Sequence, residues 1–382
     1  MANPLVEVQK FGQSIWYDNI RRGIITSGDL QSMIDRDGLL GITSNPAIFE
    51  KAINDSHDYD QAIRAAVAGG TATAVDVYEG LAMDDIRWAA DLMHPVWEKT
   101  RGRDGWVSFE VLPQLANDTD GTVRYARRVH AAIGRDNVLI KVPATPAGMP
   151  AIATLVGEGI SINVTLLFAV SAYERCADAY MTGLEKAASR GADVSRIASV
   201  ASFFVSRIDT LVDEELDRVA AAEKDPGRKG RMEALRGKIA IANAKLAYES
   251  YLGIVASDRW KALAAKGART QRVLWASTST KNPAYPKTLY VDALIARDTV
   301  NTIPEETFVE YRSSGKPRAA LEDGWSAQLA EAKRQVAELE SLGIPLDAVT
   351  ARLLDEGVRK FVQPMEKLLA AIEKKREALK AA

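Results

Sequence analysis

The sequence predicts an α/β protein of the (β/α)8 TIM-barrel type, with helical insertions and a C-terminal helical extension. Three observations carry that prediction. Eight short runs rich in apolar and β-branched residues are mostly separated by helical stretches. Their order suits parallel strands joined by right-handed crossovers. Polar residues collect at the C-terminal ends of these runs, where barrels of this type place their chemistry. A doubly wound open sheet is the alternative, but no G-x-G-x-x-G fingerprint follows the first run.

The first strand is read at Ser14–Asp18, followed by polar Asn19 and Arg21-Arg22-Gly23. The second is Leu39–Ser44, stopped by Asn45-Pro46. From Phe49 to Thr100 the Ala, Asp, Glu and Met content reads as helix, with a break at Gly69-Gly70 and an N-cap within Thr71–Thr73. Trp106–Val111 is the third strand. Thr119–Ile133 repeats apolar residues at helical spacing. The fourth strand lies in Asn137–Thr145, the fifth at Ile160–Leu166 and the sixth at Ile197–Phe204, with helices at Ala147–Glu158 and Val170–Arg190 between them. Leu211–Ala265 is helical, broken at Asp225-Pro226-Gly227. Arg272–Ser277 is the seventh strand and Asp298–Ile303 the eighth, ended by Pro304. Residues 1–320 are thus assigned to a catalytic barrel, and 321–382 to helices packed on it. In that extension Leu329, Ala332, Val336 and Leu339 share one face; Leu353, Phe361, Met365, Leu368 and Ile372 share another. The run Glu373–Glu377 reads as a solvated helix face.

The totals narrow the function. The 382 residues are 47% hydrophobic and 26% charged, with net charge −2, an ordinary globular composition. Near-neutral charge gives no sign of a nucleic-acid or membrane partner. No apolar run is long enough to span a bilayer, and Met1–Lys10 lacks the apolar core of a signal peptide. Cys176 is the only cysteine, which rules out an intrachain disulfide and suits the cytoplasm. Three histidines and one cysteine make a His/Cys metal site improbable.

Lys141 sits inside an apolar strand, sharing a face with Leu139. A desolvated amine can attack a ketone and form a Schiff base. The other strand ends carry Asp18, Asn45, Glu110, Asn163 with Thr165, Ser202 with Arg207, and Ser277. Facing inward together, they would form a cluster suited to moving protons around a carbonyl. Each also has a structural reading. Asp18 and Asn45 are good turn residues. Glu110 and Lys141 can form a structural ion pair. Asn163 and Thr165 can cap the next helix. Arg207 and Lys281 can be surface charges, Ser277–Thr280 a plain loop, and Trp16 and Phe204 core. His57, His94 and His130 lie in helical regions and are not expected to be catalytic.

Taken together the motifs resemble the transaldolases. Those that carry the resemblance are Thr43-Ser44-Asn45-Pro46, Ser108-Phe109-Glu110-Val111, Leu139-Ile140-Lys141-Val142-Pro143-Ala144-Thr145 and Ile162–Phe168, then Ser202-Phe203-Phe204-Val205-Ser206-Arg207 and Ala276–Pro283. The length and the helices after the eighth strand resemble the longer bacterial subgroup. The resemblance implies a cytosolic enzyme of the pentose phosphate pathway. Such an enzyme transfers dihydroxyacetone from sedoheptulose 7-phosphate to glyceraldehyde 3-phosphate, giving erythrose 4-phosphate and fructose 6-phosphate, with no metal or organic cofactor. By resemblance Lys141 is the Schiff-base lysine and Asp18 the acid/base group. Glu110 and Thr165 hold a catalytic water, and Asn45 and Asn163 hold the dihydroxyacetone hydroxyls. Ser202 touches substrate and Arg207 binds phosphate. The loop carrying Ser277 departs in length from shorter members and offers Lys281 as a second phosphate ligand.

The nearest rival is a fructose-6-phosphate aldolase-like lyase, which releases free dihydroxyacetone. In the family that balance resembles a choice between phenylalanine and tyrosine near the glutamate-bound water, and Phe204 favours transfer. A non-catalytic sugar-phosphate binder would not need Lys141, Asp18 and Glu110 together. A glycosidase using Asp18 and Glu110 would leave Lys141 without a role.

Overall fold

A computed structural model describes residues 3–68 and 73–380. Its centre is a closed barrel of eight parallel strands in sequence order. These are β1 (Gln13–Tyr17), β2 (Gly41–Ile42), β3 (Trp106–Glu110), β4 (Val138–Pro143), β5 (Ile162–Leu167), β6 (Ser199–Phe204), β7 (Arg272–Ala276) and β8 (Thr299–Ile303). β1 closes on β8 through five residue pairs, Gln13↔Thr299 to Tyr17↔Ile303. All eight expected strands are present, though β2 is only two residues long.

Register decides what faces inward. Glu110 pairs with Lys141 and Lys141 with Asn163, so three polar side chains form one tier across β3, β4 and β5. Below that tier the interior is packed. Trp16, Leu139 and Leu274 are fully buried. Gly41 makes room for the Trp16 ring, since a Cβ there would lie 2.5 Å from the indole. Farther down, the Trp16 indole N–H donates to Asp104 (3.2 Å), which also pairs with Arg272 at 2.9 Å and accepts from Ser14. Trp16 is core, as expected, with its one polar atom partnered.

Several helix boundaries depart from the sequence reading where no side chain caps the start, although Gly148–Gly157 and Val170–Ser189 start as expected without one. The helix after β6 begins at Ser206, not Leu211, and its N-cap Val205 supplies no side-chain hydrogen bond. Arg207 therefore lies in its first turn. Helices Arg22–Thr26, Asp29–Asp37 and Glu305–Ser314 also begin without a capping side chain, and none was expected there. Some capped starts match the reading, whereas the start capped by Ser257 falls inside the stretch read as one helix. Thr73 and Asp76 form a reciprocal capping box at the start of Ala74–Lys99. Gly69, Gly70 and Thr71 of the expected break lie outside the described residues.

The last helix, Leu346–Lys380, packs on helices Pro46–Asp55, Asp60–Ala68, Ala74–Lys99 and Ser206–Ala222 and on β5. It therefore crosses the mouth formed by the strand C-termini. Its stripe of Leu353, Phe361, Met365, Leu368 and Ile372 is buried as the periodicity implied. The charged run at its end is not merely solvated, because Lys375 reaches Asp60 at 3.1 Å. Helix Trp325–Ser341 instead lies against Ile239–Ala256.

The tight fit at Trp16 gives a test. Gly41→Ala should overpack the barrel floor and cost about 1–3 kcal/mol, read as a lower urea midpoint at unchanged slope.

Candidate active site

A cavity of about 180 Å³ opens at the C-terminal mouth of the barrel. Lys141 and Thr165 form its floor, Asp18, Thr43 and Thr302 one wall, Ser202 and Phe204 another. Arg207, Ser279 and Lys281 line the far side, and Phe361 of the last helix also lines it.

Lys141 is held from two directions. Its Nζ donates to the Ser44 carbonyl at 2.9 Å and lies 3.0 Å from Glu110 Oε2. Both partners of this ion pair are almost fully buried. Burial pushes the Glu110 carboxyl up to about 7, against the pull of the Lys141 charge. Near neutral pH, Glu110 is therefore poised both to take and to give a proton. Glu110 lies behind Lys141 and does not line the cavity. Thr165 Oγ1 is buried without a hydrogen-bond partner among the described residues.

Asp18 follows β1 and accepts from Thr43 Oγ1 at 2.7 Å. Thr43 and Thr302 share a 2.6 Å hydrogen bond. Since the one Thr43 hydroxyl proton goes to Asp18, Thr302 is the donor in that pair. Burial raises the Asp18 pKa, opposed by Lys141 and by the Thr43 hydrogen bond. A carboxylate shifted this way is a stronger base than one in water.

The amides divide. Asn45 caps helix Pro46–Asp55, accepting from Ile48 N at 3.1 Å, so its expected turn role is met. It also lines the cavity. Asn163 is fully buried, below the cavity. It donates to Ser108 Oγ (3.0 Å) and accepts from Ser202 Oγ (2.7 Å), fixing the hydroxyl of a cavity-lining serine.

Two strand ends are bent to shape the mouth. β5 has a register shift between Val164 and Leu167, with Leu166 at φ +61°. Ser277, just after β7, stands at φ +56°, and its hydroxyl pairs with Ser206 Oγ at 3.0 Å. Non-glycine residues in this region carry strain of about 1–3 kcal/mol each, and such strain clusters at functional sites.

The far side is cationic. The Arg207 guanidinium stacks over Phe204, 5.2 Å from its ring centroid. Its Nη1 is buried without a hydrogen-bond partner among the described residues, and burial lowers its pKa. Lys281 donates to the neutral Ser279 hydroxyl at 2.6 Å, and partial burial and repulsion from Arg207 lower its pKa. Two neighbouring cations with spare donors suit a bound phosphate.

The loop carrying Lys281 is fastened to the helix carrying Arg207. Tyr285 donates to Asp213 at 2.6 Å and Tyr290 to Asp209 at 2.9 Å. Asp209 and Asp213 are one turn apart on that helix, and also accept from Ala240 N and Gly237 N. Burial pushes Asp209 up to about 7.

Of the residues picked from sequence, Asp18, Asn45, Lys141, Thr165, Ser202, Phe204, Arg207, Ser277 and Lys281 line one cavity, while Glu110 and Asn163 lie behind it. Thr43, Thr302, Ser279 and Phe361 were not picked. Thr43 sits two residues before Asn45 and Thr302 at the end of β8, so strand-end position could have found them. Phe361, some 220 residues from Lys141, left no such signal. A second cavity of about 230 Å³ opens at the other end of the barrel. Its Arg272 is paired with Asp104, Arg103 with Asp298, and Arg269 is bound to backbone carbonyls. Among the described residues it has no nucleophile beside a base.

The sequence profile of the Transaldolase/Fructose-6-phosphate aldolase family matches residues 15–372. The chain is 47% identical to a transaldolase of Trichodesmium erythraeum over 98% of each chain. It is 47% identical to transaldolase 2 of a Nostoc species over 98% of this chain and 97% of that one. A transaldolase of Thiobacillus denitrificans is 46% identical over 96% and 98%. With its barrel, its buried lysine–glutamate pair and these relatives, the chain belongs to the transaldolase/fructose-6-phosphate aldolase family.

Proposed function

We propose that the chain is a transaldolase. It moves a dihydroxyacetone unit from sedoheptulose 7-phosphate to glyceraldehyde 3-phosphate, in the cytoplasmic pentose phosphate pathway. The observation that carries the reading is a buried amine paired with a carboxyl at the floor of a cavity whose far side is cationic. No helix among the described residues is long and apolar enough to cross a membrane.

Lys141 gives a proton to Glu110 and its amine adds to the ketose carbonyl. Glu110 returns the proton through a water held by Thr165, water leaves, and an iminium ion forms. The Asp18 carboxylate takes the proton from the hydroxyl on C4. The C3–C4 bond breaks, its electrons pass to the iminium nitrogen, and erythrose 4-phosphate departs. The enamine carbon then attacks the aldehyde of glyceraldehyde 3-phosphate, and Asp18 returns its proton to the new alkoxide. Hydrolysis of the iminium releases fructose 6-phosphate and restores Lys141. Asn45 and Ser202 hold the dihydroxyacetone hydroxyls, with Asn163 orienting Ser202. Arg207, with its planar fork, and Lys281 bind the phosphate of each sugar. That remote binding energy aligns the reacting carbons.

Borohydride reduction in the presence of fructose 6-phosphate should leave a dihydroxyacetone-sized adduct on Lys141, and Lys141→Ala should abolish both adduct and turnover. An adduct on another lysine would sink the mechanism. Glu110 must be ionised to accept the Lys141 proton, so kcat/KM should fall as pH drops through about 7. Glu110→Gln should lose that limb together with roughly 10²–10⁴ in kcat. Arg207→Ala should lower kcat/KM for glyceraldehyde 3-phosphate by about tenfold or more, the worth of one charged hydrogen bond. It should change the reaction of unphosphorylated glyceraldehyde little; equal loss on both acceptors would remove Arg207 from the phosphate site.

A further inference from the structure

We infer that Phe361 is a specificity-determining residue: its ring roofs the Lys141 adduct and keeps water from replacing the aldose as acceptor. The inference rests on the Schiff-base reading above. Its starting point is geometric. The Phe361 ring centroid lies 5.7 Å from Lys141 Nζ, and the side chain lines the cavity although it belongs to the last helix of the chain.

That position is fixed by the helix rather than by the barrel. One turn before Phe361, Gly357 abuts the end of β5, where an added Cβ would lie 3.0 Å from Leu166 Cδ2. One turn after it, Met365 is buried, and Leu368 and Ile372 continue the same buried stripe. Arg352 reaches Glu215 at 3.2 Å on one side of the mouth and Lys375 reaches Asp60 on the other. The ring is therefore held over the lysine and does not hang free.

What the ring does follows from its chemistry. Release of free dihydroxyacetone requires the enamine carbon to take a proton and water to add to the resulting iminium carbon. The C–N bond then breaks and the Lys141 amine is regenerated. Water addition and C–N cleavage also end the productive cycle, so the step peculiar to release is protonation of the enamine carbon, which a water above the adduct would deliver. A phenyl ring offers water no hydrogen bond, while its π face tolerates the iminium charge. Phe204, itself packed against Phe168 with ring centroids 5.2 Å apart, gives the cavity a second apolar wall. The polar groups that remain are on the sides where the substrate's hydroxyls and phosphate lie. Closing a site in this way suppresses hydrolysis of a reactive intermediate.

The test is a partition ratio. With fructose 6-phosphate as donor and erythrose 4-phosphate as acceptor, free dihydroxyacetone and sedoheptulose 7-phosphate are measured together. Phe361→Ala should raise the ratio of released to transferred dihydroxyacetone by about tenfold or more, corresponding to one decade of relative rate. Borohydride trapping on Lys141 should persist, and Phe361→Leu, which restores apolar bulk, should return most of the transfer. Ile372→Ala is the control: it loosens the same helix three turns away and should leave the ratio near that of the unsubstituted protein. An unchanged ratio in Phe361→Ala, or an equal rise in Ile372→Ala, would overturn the assignment. If Phe361→Ala does not fold, the Phe361→Leu and Phe361→Tyr pair decides, the added hydroxyl being expected to raise release above the leucine variant; equal ratios would overturn the assignment. Absence of any adduct in the unsubstituted protein would instead overturn the Schiff-base reading.

Discussion

The constraint on which the mouth of the barrel depends is the burial of an ammonium and a carboxyl side by side at Lys141 and Glu110. Removing two ions from water costs several kcal/mol each, and their attraction returns that only with good geometry and further hydrogen bonds. The pair is therefore a poor device for stability, and an apolar tier at that height would serve the fold as well. The surroundings instead place the amine and set the carboxyl for proton exchange. The Ser44 carbonyl orients the amine, and burial brings the carboxyl into the neutral range. The packed floor beneath, with Trp16 set against Gly41, lets the tier above it remain polar without opening the barrel to solvent.

Around that pair the functional groups come from different strands, which explains why strain appears where it does. Leu166 and Ser277 stand in the left-handed region at the ends of β5 and β7. The first bend follows Thr165 directly and forms the surface against which Gly357 packs. The second ties the β7 loop to the start of the helix bearing Arg207. Local geometry is distorted where the floor, the roof and the cationic side meet.

The strands were legible because barrel strands are buried on both faces and stand out as apolar runs. Polar exceptions such as Lys141 and Asn163 mark the inward tier by their parity. The tier's register was not legible, since it depends on pairing across the barrel. Helices capped by Thr73, Asp118 or Asp225 showed their starts in the sequence, whereas the helix that begins at Ser206 was read only from Leu211, its N-cap Val205 offering no capping oxygen. The stripe that contains Phe361 was visible as one face of a helix. Periodicity reports which side of a helix is buried, not against what, so its place over Lys141 could come only from the tertiary structure.

The two tyrosine–aspartate contacts behind the β7 loop bear on the order of events. Asp209 and Asp213 are a single turn apart on a rigid helix, so the segment holding Lys281 and the first turn holding Arg207 form one unit. That unit offers one anion grip beside a cavity of about 180 Å³. On the proposed mechanism the same grip must release the first aldose phosphate before it can receive the second. Turnover would then proceed by substitution, with the covalent three-carbon adduct as the one loaded form in which the grip stands free. An unreactive phosphate ester would compete with donor at the free protein and with acceptor at the adduct, and so slow both halves of the cycle.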